Sequence, residues 1–102
     1  MNDIRVREGD AYVHMGSLED IGQKPLNKWL LQPTTDAYIR GLARGLQISM
    51  CYRAQGKPPH KAIVEYSNGG CWAHPLLAAR YARYCSESLG ILVEALCESH
   101  RK

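Results

Sequence analysis

The sequence predicts one small α+β domain in which short helices lead into a β-hairpin and two further helices close the chain. Three observations carry that prediction. Residues 62–66, Ala-Ile-Val-Glu-Tyr, have β-branched residues at their centre, as strands do. Ser67-Asn68-Gly69-Gly70 follows with the residue types that tolerate a hairpin turn, and Cys71-Trp72-Ala73 then returns. Upstream, Pro25 and Pro33 bracket apolar residues at helical spacing. The 102 residues suffice for one domain, 1–102, with one modest core.

In chain order, Ile4-Arg5-Val6-Arg7 and Ala11-Tyr12-Val13-His14-Met15 alternate around a Glu8-Gly9-Asp10 turn and predict a hairpin. Ser17 is the expected cap of a short helix ended by Gly22. Pro25 opens a helix that buries Leu26, Trp29 and Leu30, and Pro33 interrupts it. Thr34 or Thr35 then caps a helix with the stripe Ile39, Leu42, Ala43 and Leu46. Gly56, Pro58 and Pro59 predict a loop over residues 50–60. After the hairpin, Pro75 starts a helix over residues 75–84, with Leu77, Tyr81 and Tyr84 on one side. Ser86 or Ser88 caps a last helix with the stripe Leu89, Leu92, Val93 and Leu96, and residues 98–102 form a polar, fraying tail. The expected core is Leu26, Trp29, Leu30, Ile39, Leu42, Leu46, Ile63, Trp72, Leu77, Tyr81, Leu92 and Leu96. Four to five helices with short β-hairpins in this order give a winged-helix-like layout.

Composition excludes several classes. Hydrophobic residues at 45% and charged residues at 23% are ordinary for a globular chain. No apolar run reaches the roughly 20 residues of a membrane span. The polar N-terminus and four cysteines without a Cys-x-x-Cys pair predict free thiols in the cytoplasm of a bacterium or an infected host cell. The net charge is only +3, but its distribution is uneven. Residues 37–64 hold Arg40, Arg44, Arg53, Lys57 and Lys61 and no acid, whereas residues 1–36 carry a balance of −2. An acid-free run of this kind suits a polyanion.

Cys71-x-x-His74 and Cys97-x-x-His100 share the spacing of zinc ligands. Buried thiols and a capping or core histidine explain them better, so no metal and no cofactor is expected. No nucleophile motif, paired carboxylate or phosphate loop stands out, and no enzymatic activity is expected. Nucleic-acid binding draws on several agreeing signals. Lys24, Asn27 and Lys28 lie in or beside the first turn of a helix, where the dipole favours phosphate. Arg40 and Arg44 lie four apart on one helical face. Lys61, Asn68, Gly69 and Gly70 belong to the hairpin, where glycines let a backbone approach phosphate closely. Trp29, Trp72 and the six tyrosines are read as core volume, since the chain has no Phe.

Four motifs in order resemble the KilA-N domain family of DNA viruses, phages and bacteria. They are Tyr12-Val13-His14-Met15-Gly16, Lys24-Pro25-Leu26-Asn27-Lys28-Trp29-Leu30, Thr35-Asp36-Ala37-Tyr38-Ile39 and Gly69-Gly70-Cys71-Trp72-Ala73-His74-Pro75-Leu76-Leu77-Ala78. The resemblance covers about residues 11–97. It departs where His14-Met15-Gly16 replaces an Asn-Ala-Thr pattern and where Gly69-Gly70-Cys71 compresses a glycine-rich stretch. The resemblance implies a fold similar to the winged-helix domain of fungal APSES transcription factors, and binding to double-stranded DNA as a monomer or homodimer. A phage or bacterial transcriptional regulator is the expected role. The alternative is a protein-interaction module, such as a phage-encoded inhibitor, whose partner is a host protein.

Overall fold

The computed structural model describes residues 4–7, 9–53, 62–67 and 70–100. In chain order the described elements are β1 (Val13–His14), α1 (Met15–Gly22), α2 (Leu26–Leu30), α3 (Pro33–Leu46), β2 (Ser49–Arg53), β3 (Ala62–Ser67), β4 (Gly70–Ala73), α4 (Pro75–Cys85) and α5 (Glu87–His100). This is an α+β domain with five helices and a four-stranded mixed sheet, a layout compatible with a winged helix.

The sheet runs in the order β1-β4-β3-β2. The hairpin read between β3 and β4 is present, with Ser67 opposite Gly70 and Val64 opposite Ala73. Asn68 and Gly69, between those strands, lie outside the described residues. The expected first hairpin is reduced to a bridge between Val6 and Val13. Hydrogen bonds from Arg7 N to Tyr12 O (2.7 Å) and from His14 N to Arg5 O (2.8 Å) hold the two segments together. Residues 50–60 were expected to form a loop, but Ser49–Arg53 is a strand paired parallel to β3, Cys51 opposite Val64. The breaking residues Gly56, Pro58 and Pro59 follow this strand rather than interrupt it. A parallel neighbour supplies hydrogen bonds that no local pattern announces.

Two helix starts also differ from expectation. Helix α1 begins at Met15, and His14 caps it: its Nδ1 accepts a hydrogen bond from Ser17 N at 3.1 Å. Ser17 instead donates its hydroxyl to His14 O at 2.7 Å. Pro33 does not merely end α2; it is the first residue of α3, where its missing N–H is harmless. Thr35, offered as a cap, is buried inside the first turn. Ser86 does cap α5, accepting from Leu89 N at 3.1 Å.

Alternation along the strands sorts the sheet into two faces. Val13, Ala73 and Val64 form one row and are buried. His14, Trp72 and Glu65 form the next row on the opposite face. Trp72 is therefore half-buried beside polar groups and is not the core residue expected. Leu46 and Leu92 are also wrong for the core, being exposed. Leu26, Trp29, Ile39, Ile63, Leu77 and Tyr81 are buried as expected, while Leu30, Leu42 and Leu96 are partly buried. Met15, Leu18, Leu89 and Val93 complete the core. Close helix packing also rests on Gly22: a Cβ there would collide with Cys85 Sγ, so α1 and α4 meet at that hydrogen.

Candidate nucleic-acid interface

Helices α2 and α3 form a helix–turn–helix unit joined by Leu31 and Gln32 alone. The apolar sides of both face the sheet, since Leu30 and Ile39 share a small groove with Val64 and Tyr66 of β3. After α3, Gln47 takes a left-handed conformation (φ 57°) and the chain reverses into β2. Helix α3 thus runs antiparallel to β2, and β3 is parallel to β2. The end of β3 that carries the hairpin tip therefore lies at the N-terminal end of α3. The turn between α2 and α3 and the hairpin tip share one end of the molecule.

Lys24, Asn27 and Lys28 are exposed at that end. Lys24 Nζ sits 5.1 Å from the centroid of the Tyr84 ring. The Lys24 carbonyl accepts the Tyr81 hydroxyl at 2.5 Å, which ties this segment to α4. The phosphate role assigned to the α2 N-terminus does not survive. Glu19 Oε2 already accepts the Leu26 N–H at 2.8 Å, so a carboxylate fills the place of a phosphate. Lys24, Asn27 and Lys28 remain available as side chains.

On α3, Arg40 and Arg44 are both exposed. They are not equivalent. Arg40 Nε donates to Asp36 Oδ2 at 2.7 Å, and this pairing holds its guanidinium even further up the basic range. Arg44 has no such ion pair among the described residues, but it lies roughly 15 Å along the helix from its start. Gly70 is exposed with φ +124°. A Cβ there would lie 2.6 Å from His14 Nε2, so glycine is required twice over, by conformation and by space. Lys61, Asn68 and Gly69 lie outside the described residues.

Sequence reading missed the groups that brace the hairpin from its opposite face. Arg7 is their hub. Its Nε and Nη2 donate to Asp10 at 3.1 and 2.6 Å. Its Nη1 lies 3.0 Å from Glu65 Oε1, an ion contact out of line for a hydrogen bond. Its guanidinium also stands 4.9 Å from the Tyr12 ring and 5.6 Å from the Trp72 ring. The Trp72 ring in turn meets His14 edge-on at 5.0 Å. The N-terminal segment, β1 and the hairpin are thereby locked together. Arg80 was missed as well: it is exposed on α4 and stacks 4.3 Å over Tyr38 of α3. A fifty-residue separation such as Arg7 to Glu65 leaves no periodic trace, so no sequence signal marked these groups.

The zinc pairs are put to other uses. His74 caps α4, its Nδ1 accepting from Leu76 N at 3.1 Å, and Cys97 is buried with its Sγ 3.9 Å from Ala11 O. Among the described residues no group of three His, Cys, Asp or Glu could hold a metal ion. No helix among them is long and apolar enough to cross a membrane.

Neither a curated protein nor a solved structure matches the chain. The family model described as the KilA-N domain matches residues 2–102. With the motifs on α2, α3 and the hairpin in their expected order and the match extending over essentially all residues, the chain belongs to the KilA-N domain family.

Proposed function

We propose that this chain binds duplex DNA through the α2–turn–α3 unit and the β3–β4 hairpin, as a regulator of phage or bacterial type that does no chemistry itself. The observation that carries the reading is the common placement of the α3 N-terminus, the exposed Lys24, Asn27 and Lys28, and the hairpin end at Gly70. Family membership supports it, because KilA-N is a DNA-binding domain family. A helix–turn–helix unit places the start of its second helix in the major groove. In α3 that start is Pro33-Thr34-Thr35, whose Gln32 cap position makes no side-chain hydrogen bond. The backbone N–H groups of such a turn suit a phosphate, and Thr34, exposed beside them, can reach a base edge or a phosphate oxygen. Lys24 and Lys28 flank this start and neutralise the backbone on either side. Lys61, Asn68 and Gly69 extend the same interface along the hairpin.

The test is a fluorescence-anisotropy titration with random duplex DNA at two salt concentrations. Binding that weakens steeply with salt is the expected result. A protein that stays unbound at low salt, where the electrostatic attraction is strongest, would overturn the reading.

A further inference from the structure

A second concave surface lies at the opposite end of the molecule. It is a cavity of about 510 Å³. Leu46, Leu76 and Ala79 make its apolar floor, and Asp10, Glu94 and Glu98 stand around it. Its position follows from chain direction. β4 runs from the hairpin tip straight into α4, so Leu76 lies at the hairpin base. Leu46 ends α3, roughly 20 Å from the turn that precedes the helix.

Two properties of the surface point to its occupant. The floor is partly uncovered: Leu46 is 44% and Leu76 51% exposed. Two large apolar side chains beside one groove are more than the isolated exposed leucine of an ordinary surface. The rim is of one sign. Glu87, Glu94 and Glu98 are the charged residues of α5, which contains no Lys or Arg, and no Lys or Arg lines the cavity. Arg7 fixes Asp10 from one side and Arg83 fixes Glu94, donating at 2.9 Å. A carboxylate so held still has acceptor sites to offer. The surface thus combines apolar contact with a preset negative field.

We propose that this groove docks a segment of a partner protein that presents apolar side chains together with Lys or Arg. The apolar side chains would cover Leu46, Leu76 and Ala79, and the cations would meet Glu94 and Glu98. This is the amphipathic-segment-in-groove mode of recognition. The same negative rim repels a nucleic acid, so the groove serves a protein and lies away from the surface proposed for DNA. The inference does not depend on the DNA reading.

The test uses the full chain and a fluorescein-labelled amphipathic peptide of Leu and Lys, with two control peptides. One control replaces Leu by Ser at unchanged charge; the other replaces Lys by Glu. The Leu/Lys peptide is expected to bind saturably and to shift the backbone amide resonances of Leu46, Leu76 and Ala79. Both controls should bind at least about tenfold more weakly. Leu76→Ser and Glu98→Lys, both at exposed positions, should each weaken the Leu/Lys peptide about five- to tenfold while leaving the urea midpoint in place. If Leu76→Ser perturbs folding, Glu98→Lys and the resonance shifts of the unaltered protein still decide the matter. The proposal is overturned if the Ser/Lys peptide binds as tightly, if the shifts fall elsewhere, or if no peptide binds. It is equally overturned if Leu76→Ser instead abolishes self-association of the protein, which would make a second copy the occupant.

Discussion

Arg7 is the side chain on which most interactions converge, and two predictions belong at this scale. Glu65 is 1% exposed in the middle of β3, and Arg7 is its counter-charge. Removing one partner of such a pair leaves a buried charge uncompensated. Arg7→Ala should therefore cost about 3–5 kcal/mol, read from the urea midpoint. Glu65→Gln, which removes the charge and keeps the shape, should cost clearly less. Equal losses in the two variants would show that Arg7 acts by packing on Tyr12 and Trp72 alone. Tyr12 makes the second prediction. Burial first, then the charges of Glu65 and Asp10, push its hydroxyl up to about 12 from an ordinary 10.0. Burial pushes Tyr81 up as well. A pKa raised on folding means that the folded state holds the proton more tightly than the unfolded one. The associated stability is fully present below the ordinary tyrosine value and is lost as pH rises through the folded value. The hydroxyl also donates to Ala62 O at 2.7 Å, a bond that the phenolate cannot make. Denaturation midpoints should fall between about pH 10 and about pH 12. A midpoint flat across that window would contradict the burial of both hydroxyls.

Among the elements, α5 shows how a helix stripe can be right in period and wrong in width. Leu89, Leu92, Val93 and Leu96 have the expected spacing, yet Leu89 and Val93 are buried and Leu92 is 48% exposed. Only one side of the stripe meets α4; Cys97, one turn beyond Val93, completes that side. Leu89→Ala should cost about 2–5 kcal/mol as a core truncation. Leu92→Ala should stay within about 0.5 kcal/mol, as surface changes do. Comparable urea midpoints for the two would mean that α5 is rotated from this position. Helix α2 carries a related lesson. Its five residues look like a phosphate site from their N-terminal Pro and flanking lysines. Glu19, reaching back from α1, already occupies the position that matters.

For the whole molecule, the distribution of charge decides the expected binding behaviour. A duplex contact made by about four basic groups gives a log–log salt slope of about −4. Lys28→Ala should flatten that slope by about one unit and weaken binding to all sequences alike. Arg40→Ala should do less than Lys28→Ala, because Asp36 already balances that guanidinium. Glu98→Ala, at the far end, should leave the slope unchanged. A Lys28→Ala slope identical to the unaltered protein's would remove α2 from the interface.

Several features were decided by the sequence alone: the helix–turn–helix unit, the β3–β4 hairpin, the Pro75 helix start and the family. Each rests on residues a few positions apart, whose spacing or backbone preference speaks for itself: Leu26 with Trp29, Pro33 before α3, Gly70 at the turn. The i, i+4 pair of Asp36 and Arg40 was equally local and could have been read. Other features belong to tertiary structure. The strand Ser49–Arg53 exists because β3 pairs with it, and the turn residues downstream hid it. Trp72 leaves the core because its row of the sheet, with His14 and Glu65, faces Arg7 rather than α2 and α3. The acidic groove needs the ends of α3, α4 and α5 together, with Asp10. Such contacts join residues tens of positions apart, and only chain reversal brings them into range. A local pattern says which face a residue takes; packing alone says what that face will meet.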